Sequence, residues 1–248
     1  MGFYHYVISD KVMSERKKNI IRSFTQWEIT PNFFDAVIGK NLTQKQLKML
    51  SCDYGLLKLG AIGCALSHLG IYKKFLSTAE KYVYVFEDDV QLTEDFIRLQ
   101  PKIQQFMNKR TESTVLALYK FDGLKKKVEK LDDGVYIMRS LAGTASHAYV
   151  INRGAAENLL KAQTLVRIEM DAWAIYQKLG FLNLYCVNKD LVRLNENLSC
   201  VSTIEIESDG LNNTKIKNQK SKIKNQKSKI KNQKSKIKNQ TVSFSILV

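Results

Sequence analysis

Residues 82–86 read Tyr-Val-Tyr-Val-Phe, and the next three are Glu87, Asp88 and Asp89. An unbroken apolar run of that length suits a strand covered on both faces. The three adjacent carboxylates repel one another at neutral pH unless water or a cation compensates them. In open α/β sheets, ligands sit beyond the carboxyl ends of the strands, and these acids fall at such an end. On the residues alone they are either a solvated turn or a cation site. In extended backbone, residues i and i+2 point the same way. Glu87 and Asp89 would then share one side, with Asp88 opposite.

The chain around this run alternates short apolar stretches with amphipathic ones. Strands are expected at residues 4–9, 32–37, 81–86, 115–119, 135–138, 148–151 and 182–187. Helices are expected from a Ser14 cap to about residue 27, over 62–76, after a Thr93 cap, and over 153–161 and 172–179. This order predicts an α/β fold, a mostly parallel central sheet flanked by helices. Ser9 and Asp35 would stand at the same edge as the acids.

At 248 residues, with 44% hydrophobic residues, the chain can bury one large core. The expected division is a domain over 1–210 and a lysine-rich tail over 211–248. Residues 215–240 repeat the unit Lys-Ile-Lys-Asn-Gln-Lys-Ser three times and begin a fourth copy, with 11 lysines and no acid. They supply most of the formal net charge of +15, so the body is only mildly basic. One isoleucine per seven residues makes a poor coiled-coil seam, so the tail is expected to be disordered or loosely helical. Its expected partner is an anionic membrane surface. The tail has no interleaved aromatics for stacking on bases, so no specific nucleic acid is expected. No run approaches the length of a membrane helix, and no signal peptide is read at the N-terminus. The four scattered cysteines suit a reducing compartment. The expected location is cytoplasmic, peripheral on the inner membrane.

Residues 59–76 followed by 82–90 resemble the bacterial glycosyltransferase family 25 enzymes of lipooligosaccharide biosynthesis. The family's motifs occur here in order: Glu15-Arg16, Phe34-Asp35-Ala36, Gly63-Cys64 with Ser67-His68, Glu87-Asp88-Asp89, Gly143-Thr144 with Tyr149, and Asp171. The resemblance covers about residues 3 to 205 and implies a GT-A-like fold. It also implies inverting transfer of a hexose, commonly galactose from UDP-galactose, to a lipid-linked oligosaccharide acceptor. By the same resemblance Glu87 and Asp89 hold Mn²⁺ or Mg²⁺ and the donor, Arg16 and Asp35 lie near the nucleotide, and Asp171 faces the acceptor. Two departures stand out: Ala61 replaces a frequent Glu, and Gly143–Tyr149 is longer than the common Gly-Thr-x-x-Tyr, which leaves His147 without an assigned role.

An inverting transfer needs a base to take the acceptor's proton. Asp171 is the first candidate, with Asp88 and Glu169 as alternatives; capping the following helix would be its purely structural role. His68 is either a base or a hydrogen-bonded helix residue. Gly143 and Thr144 form either a tight loop that lets backbone approach the donor or acceptor, the donor side being the expectation, or an ordinary turn. The three histidines show no ligand spacing, so zinc is not expected, and Cys64 reads as packing. A nucleic-acid- or membrane-surface-binding protein using the tail, and a non-catalytic sugar-binding module, are the competing classes.

Overall fold

Local signals start and stop the elements of the computed structural model, which describes residues 2–195 and 198 apart from 13, 53–55 and 124. Strand β1 (His5–Ser9) leads to helix α1 (Glu15–Thr25), whose Ser14 cap accepts the Lys17 N–H. Then come β2 (Phe33–Asp35), α2 (Gln44–Leu50) and the long α3 (Leu59–Leu76). Strand β3 (Tyr82–Glu87) ends on the first acid, and β4 (Val90–Leu92) follows. Thr93 caps α4 (Glu94–Asn108). The remainder is β5 (Thr114–Lys120), β6 (Lys125–Asp132), β7 (Val135–Ser140), β8 (Ala148–Asn152), α5 (Arg153–Ala162), α6 (Trp173–Lys178), β9 (Asn183–Val187) and β10 (Val192–Leu194).

Eight strands form one sheet in the order β2-β1-β3-β8-β5-β9-β7-β6, and β4 pairs separately with β10. The α/β class expected from the sequence is the one that forms. The sheet is mixed: β1–β2, β1–β3 and β5–β9 are parallel, while β3–β8, β5–β8, β7–β9 and β6–β7 are antiparallel. The antiparallel β8 matters most for function. Its amino end lies beside the carboxyl ends of β3 and β5, so the loop entering it reaches the acidic edge.

Val83, Tyr84, Val85 and Phe86 are fully buried, as a two-sided strand requires. Phe86 meets Phe24 and Phe96 edge-on at 5.5 and 6.1 Å; each such side chain contributes roughly 2–3 kcal/mol of burial. Helix α3 is nearly all apolar and lies deep in the fold. A Cβ on its Gly63 would overlap the Val37 carbonyl and the Gly39 backbone, so only glycine permits this approach. Ser67 secures the same crossing, accepting the Val37 N–H and donating to the Gly63 carbonyl, both at 2.8 Å. The face carrying Cys64 and His68 is thereby fixed against β3.

These elements belong to a unit spanning Met1–Ser202, and no helix among the described residues is long and apolar enough to cross a membrane. The lysine-rich tail over 211–248 lies outside the described residues.

Candidate functional site

The parallel pairing of β2, β1 and β3 sets Ser9 opposite Asp35 and Ile8 opposite Glu87. The carboxyl ends of three strands therefore form one edge, as the element order predicts. Asp35 is exposed there and pairs with Lys11 at 3.6 Å. It stands two strands from Glu87, about 10 Å at ordinary strand spacing.

The expected alternation of the three acids does not form. Extended backbone stops at Glu87, and Asp88–Asp89 make a turn. Asp88 and Asp89 therefore face the same cation: Arg16 Nε lies 2.9 Å from Asp88 Oδ1, and an Arg16 terminal nitrogen pairs with Asp89 Oδ2. Arg16 comes from the first turn of α1, directly after β1. Glu87 is held apart from both, by Ser146 Oγ donating to its Oε1 at 2.7 Å and by His68 Nε2 at 3.7 Å.

The charge balance differs across the motif. Burial raises the Glu87 carboxyl, but the His68 ring and the Ser146 hydroxyl outweigh it and bring it down to about 2. Burial also raises Asp88, against the pull of Arg16. Asp89 is pushed up to about 6 by burial and then by the Glu87 charge, more than Arg16 offsets. Its Oδ1 is buried with no hydrogen-bond partner. Three carboxylates thus share one guanidinium and one imidazole, and Asp89 is the least compensated.

The second half of the site hangs on the β8 loop. His147 accepts the Glu87 N–H at 2.8 Å through its carbonyl, and its ring lies 3.7 Å from the Tyr119 ring. Burial lowers the His147 ring, with Glu87 and Asp190 opposing. Asp171 does not cap α6, whose cap position is Ala172. Its Oδ2 instead accepts the Ala145 N–H at 2.9 Å. Ala145 sits at φ 67°, and its carbonyl accepts from Trp173 Nε1 at 2.6 Å and from the Tyr119 hydroxyl. Burial first, then the charges of both Glu87 and Asp171, raise the Cys64 thiol and the Tyr119 hydroxyl. Both acids are therefore near enough to Cys64 and Tyr119 for their charges to be felt there. Thr144 is exposed, with its carbonyl accepting the Tyr119 hydroxyl at 3.1 Å. A Cβ on Gly143 would overlap the Phe121 ring, so that glycine serves loop packing.

Behind Glu87, His68 is fully buried. Its Nδ1 lies 2.6 Å from the Tyr149 hydroxyl, which lies 2.6 Å from the Tyr72 hydroxyl. Ser146 and Tyr119 carry no signal in the sequence, and Tyr149 stands out there only as the end of the Gly143–Tyr149 motif. The Cys64–His68 spacing of four on a helix was the available signal for that pair.

The α/β sheet thus carries a carboxylate-rich corner at the ends of its parallel strands. The chain belongs to glycosyltransferase family 25, described as an LPS biosynthesis protein family, whose model matches residues 3–174. It is 30% identical over 164 residues to the lipooligosaccharide biosynthesis protein lic2B of Haemophilus influenzae, covering 62% of this chain and 61% of that protein. It is 31% identical over 116 residues to inactive glycosyltransferase 25 family member 3 of Mus musculus, covering 42% and 20%. It is 30% identical over 120 residues to procollagen galactosyltransferase 2 of Mus musculus, covering 44% and 19%. The chain thus spans about three fifths of the bacterial relative's length and about a fifth of each mouse relative's. Among solved structures, A197 from STIV overlaps at a TM-score of 0.39 and 11% identity, over 74% of this chain and 80% of that one.

Proposed function

We propose that this chain is an inverting hexosyltransferase that moves galactose from UDP-galactose to a lipid-linked lipooligosaccharide acceptor, assisted by Mn²⁺ or Mg²⁺. The observation that carries this reading is the under-compensated Asp89 beside Glu87 and Asp88 at the carboxyl end of β3. The names of lic2B and of procollagen galactosyltransferase 2 support the acceptor class and the sugar.

The residues fit a hard divalent cation. Asp89 Oδ1 is buried without a partner, and oxygen ligands suit these ions. Asp89 and Glu87 would hold it, and when bound it supplies neutralising charge for the departing diphosphate. Arg16 donates a hydrogen bond to Asp89 and lies in ion-pair range of Asp88; its remaining terminal N–H groups are left to donate to the diphosphate. Asp35, Gly143 and Thr144 border the donor side.

The acceptor oxygen attacks the anomeric carbon as the bond from that carbon to the diphosphate oxygen breaks. The bonding pair leaves with UDP. Asp171 takes the acceptor's proton on Oδ1, its Oδ2 being committed to the Ala145 N–H. Asp88 is a weaker base candidate, because Arg16 holds it. His68 is fully buried behind Glu87, whose carboxyl its ring lowers against the effect of burial, and His147 supports the loop through Tyr119. The tail over 211–248 is the part proposed to rest on an anionic membrane surface.

A panel of nucleotide sugars tested by thermal shift with Mn²⁺ checks the donor. UDP-galactose should raise the melting temperature more than other donors, because binding only the folded state stabilises it. Equal or absent shifts across the panel would defeat the assignment. Binding without turnover would indicate a sugar-binding role.

A further inference from the structure

Cys64 and His68 are four residues apart on α3 and share a face. Glu87 meets that face from the end of β3. The Cys64 sulfur, a His68 ring nitrogen and a Glu87 carboxylate oxygen all lie within 4.8 Å of one another. His68 Nε2 is buried with no hydrogen-bond partner, and Glu87 Oε1 stands 3.7 Å away. That gap is too wide for a hydrogen bond. The other ring nitrogen is anchored at 2.6 Å by the Tyr149 hydroxyl, the outer-shell arrangement that orients metal-bound imidazoles.

We propose that Cys64, His68 and Glu87 form a site for a thiophilic divalent cation of the zinc type, with its fourth position open to water or another small ligand. A sulfur–imidazole–carboxylate set favours zinc over magnesium or manganese. Tetrahedral bonds of about 2.0–2.3 Å separate ligand atoms by about 3.3–3.7 Å. The nitrogen–oxygen pair already has that spacing, and with all ligand atoms within 4.8 Å of one another the sulfur needs to close by at most about an ångström. On binding, the Cys64 thiol proton passes to solvent. Because Glu87 also belongs to the acidic corner, a cation here withdraws it from the donor side. The site does not depend on sugar transfer, and its test reads the metal directly.

The test titrates Co²⁺, an optical stand-in for zinc, into the full chain. The expected result is a near-ultraviolet cobalt–thiolate band with intense visible tetrahedral bands, saturating at one cobalt per chain. Zn²⁺ should abolish them and Mg²⁺ should not. Cys64→Ser should lose the near-ultraviolet band and Cys52→Ser should keep it. His68→Gln should weaken cobalt binding about tenfold or more, a scale that even outer-shell changes reach. Absence of the band in the folded wild-type chain, or its survival in Cys64→Ser, would overturn the proposal. If Cys64→Ser does not fold, alkylation of the wild-type chain followed by mass spectrometry decides: zinc should protect Cys64 but not the exposed Cys52, and unprotected Cys64 would overturn it.

Discussion

The Asp171 carboxylate accepts the Ala145 N–H at 2.9 Å, which joins the approach to α6 to the loop that enters β8. One of its oxygens holds the loop, and the other is proposed to take the acceptor's proton. Asp171→Asn keeps an oxygen for Ala145 but removes the base. It should lower transfer about 10²–10⁴-fold with little change in melting temperature. Asp171→Ala loses both roles and should also cost about 1–2 kcal/mol of stability. Full activity in Asp171→Asn, in a direct transfer assay, would remove Asp171 as the base.

Arg16 bridges Asp88 and Asp89. Arg16→Ala leaves two largely buried carboxylates without their cation and should cost about 2–3 kcal/mol in urea unfolding, at or just below the range for breaking a buried pair. Arg16→Lys should recover only part, because an ammonium lacks the fork that spans both acids. In the Arg16→Ala background, adding Asp89→Asn should restore stability, giving a coupling that a double-mutant cycle measures.

Asp89 ordinarily titrates near 3.8 and is raised to about 6 here. Between those values the folded chain holds a proton that the unfolded chain has released. Stability from this group therefore falls as pH rises through the window and stays reduced above it. Glu87 acts in the opposite sense: brought from 4.5 to about 2, it stabilises above pH 4.5 and that stability is lost as pH falls toward 2. Asp89→Asn should raise the melting temperature by several degrees at pH 7, on the order of 2 kcal/mol, and leave it nearly unchanged at pH 4. Thermal melts at the two pH values check this, and the Mn²⁺-induced shift of the wild type should grow as pH rises through about 6.

Gly63 lies where a Cβ would meet the Val37 carbonyl and the Gly39 backbone. Backbone cannot rotate away as a side chain would. Gly63→Ala should cost about 2–3 kcal/mol in chemical unfolding, at the upper end for overpacking. Gly2→Ala, with open space around it, should be neutral and serves as the control.

Much of the acidic edge is legible in the residues. The run at 82–86 ends in acids, and the parallel order sets Ser9, Asp35 and Glu87 at one edge. The antiparallel sense of β8 is not legible, because all five of its residues are buried and such a run carries no sign of direction. Hence Ser146 and the His147 carbonyl arrive at Glu87 unannounced. Strand β6 is missed because its lysines line an exposed sheet edge, where charge guards against strand pairing rather than marking a core. The turn at Asp88–Asp89 defeats the alternation rule, which holds only while the backbone stays extended. Cys64 and His68 are legible only if sulfur is counted with imidazole at a spacing of four.

Galactose transfer from UDP-galactose to a lipooligosaccharide acceptor, measured for the wild-type full chain and for Asp89→Asn with and without Mn²⁺, tests the central claim most directly. The wild type should turn over only with the cation, and Asp89→Asn should lose at least about 10²-fold while remaining folded, the loss expected when transition-state charge is left unstabilised. Equal activity of the two proteins, or turnover indifferent to the cation, would contradict the assignment of the acidic corner.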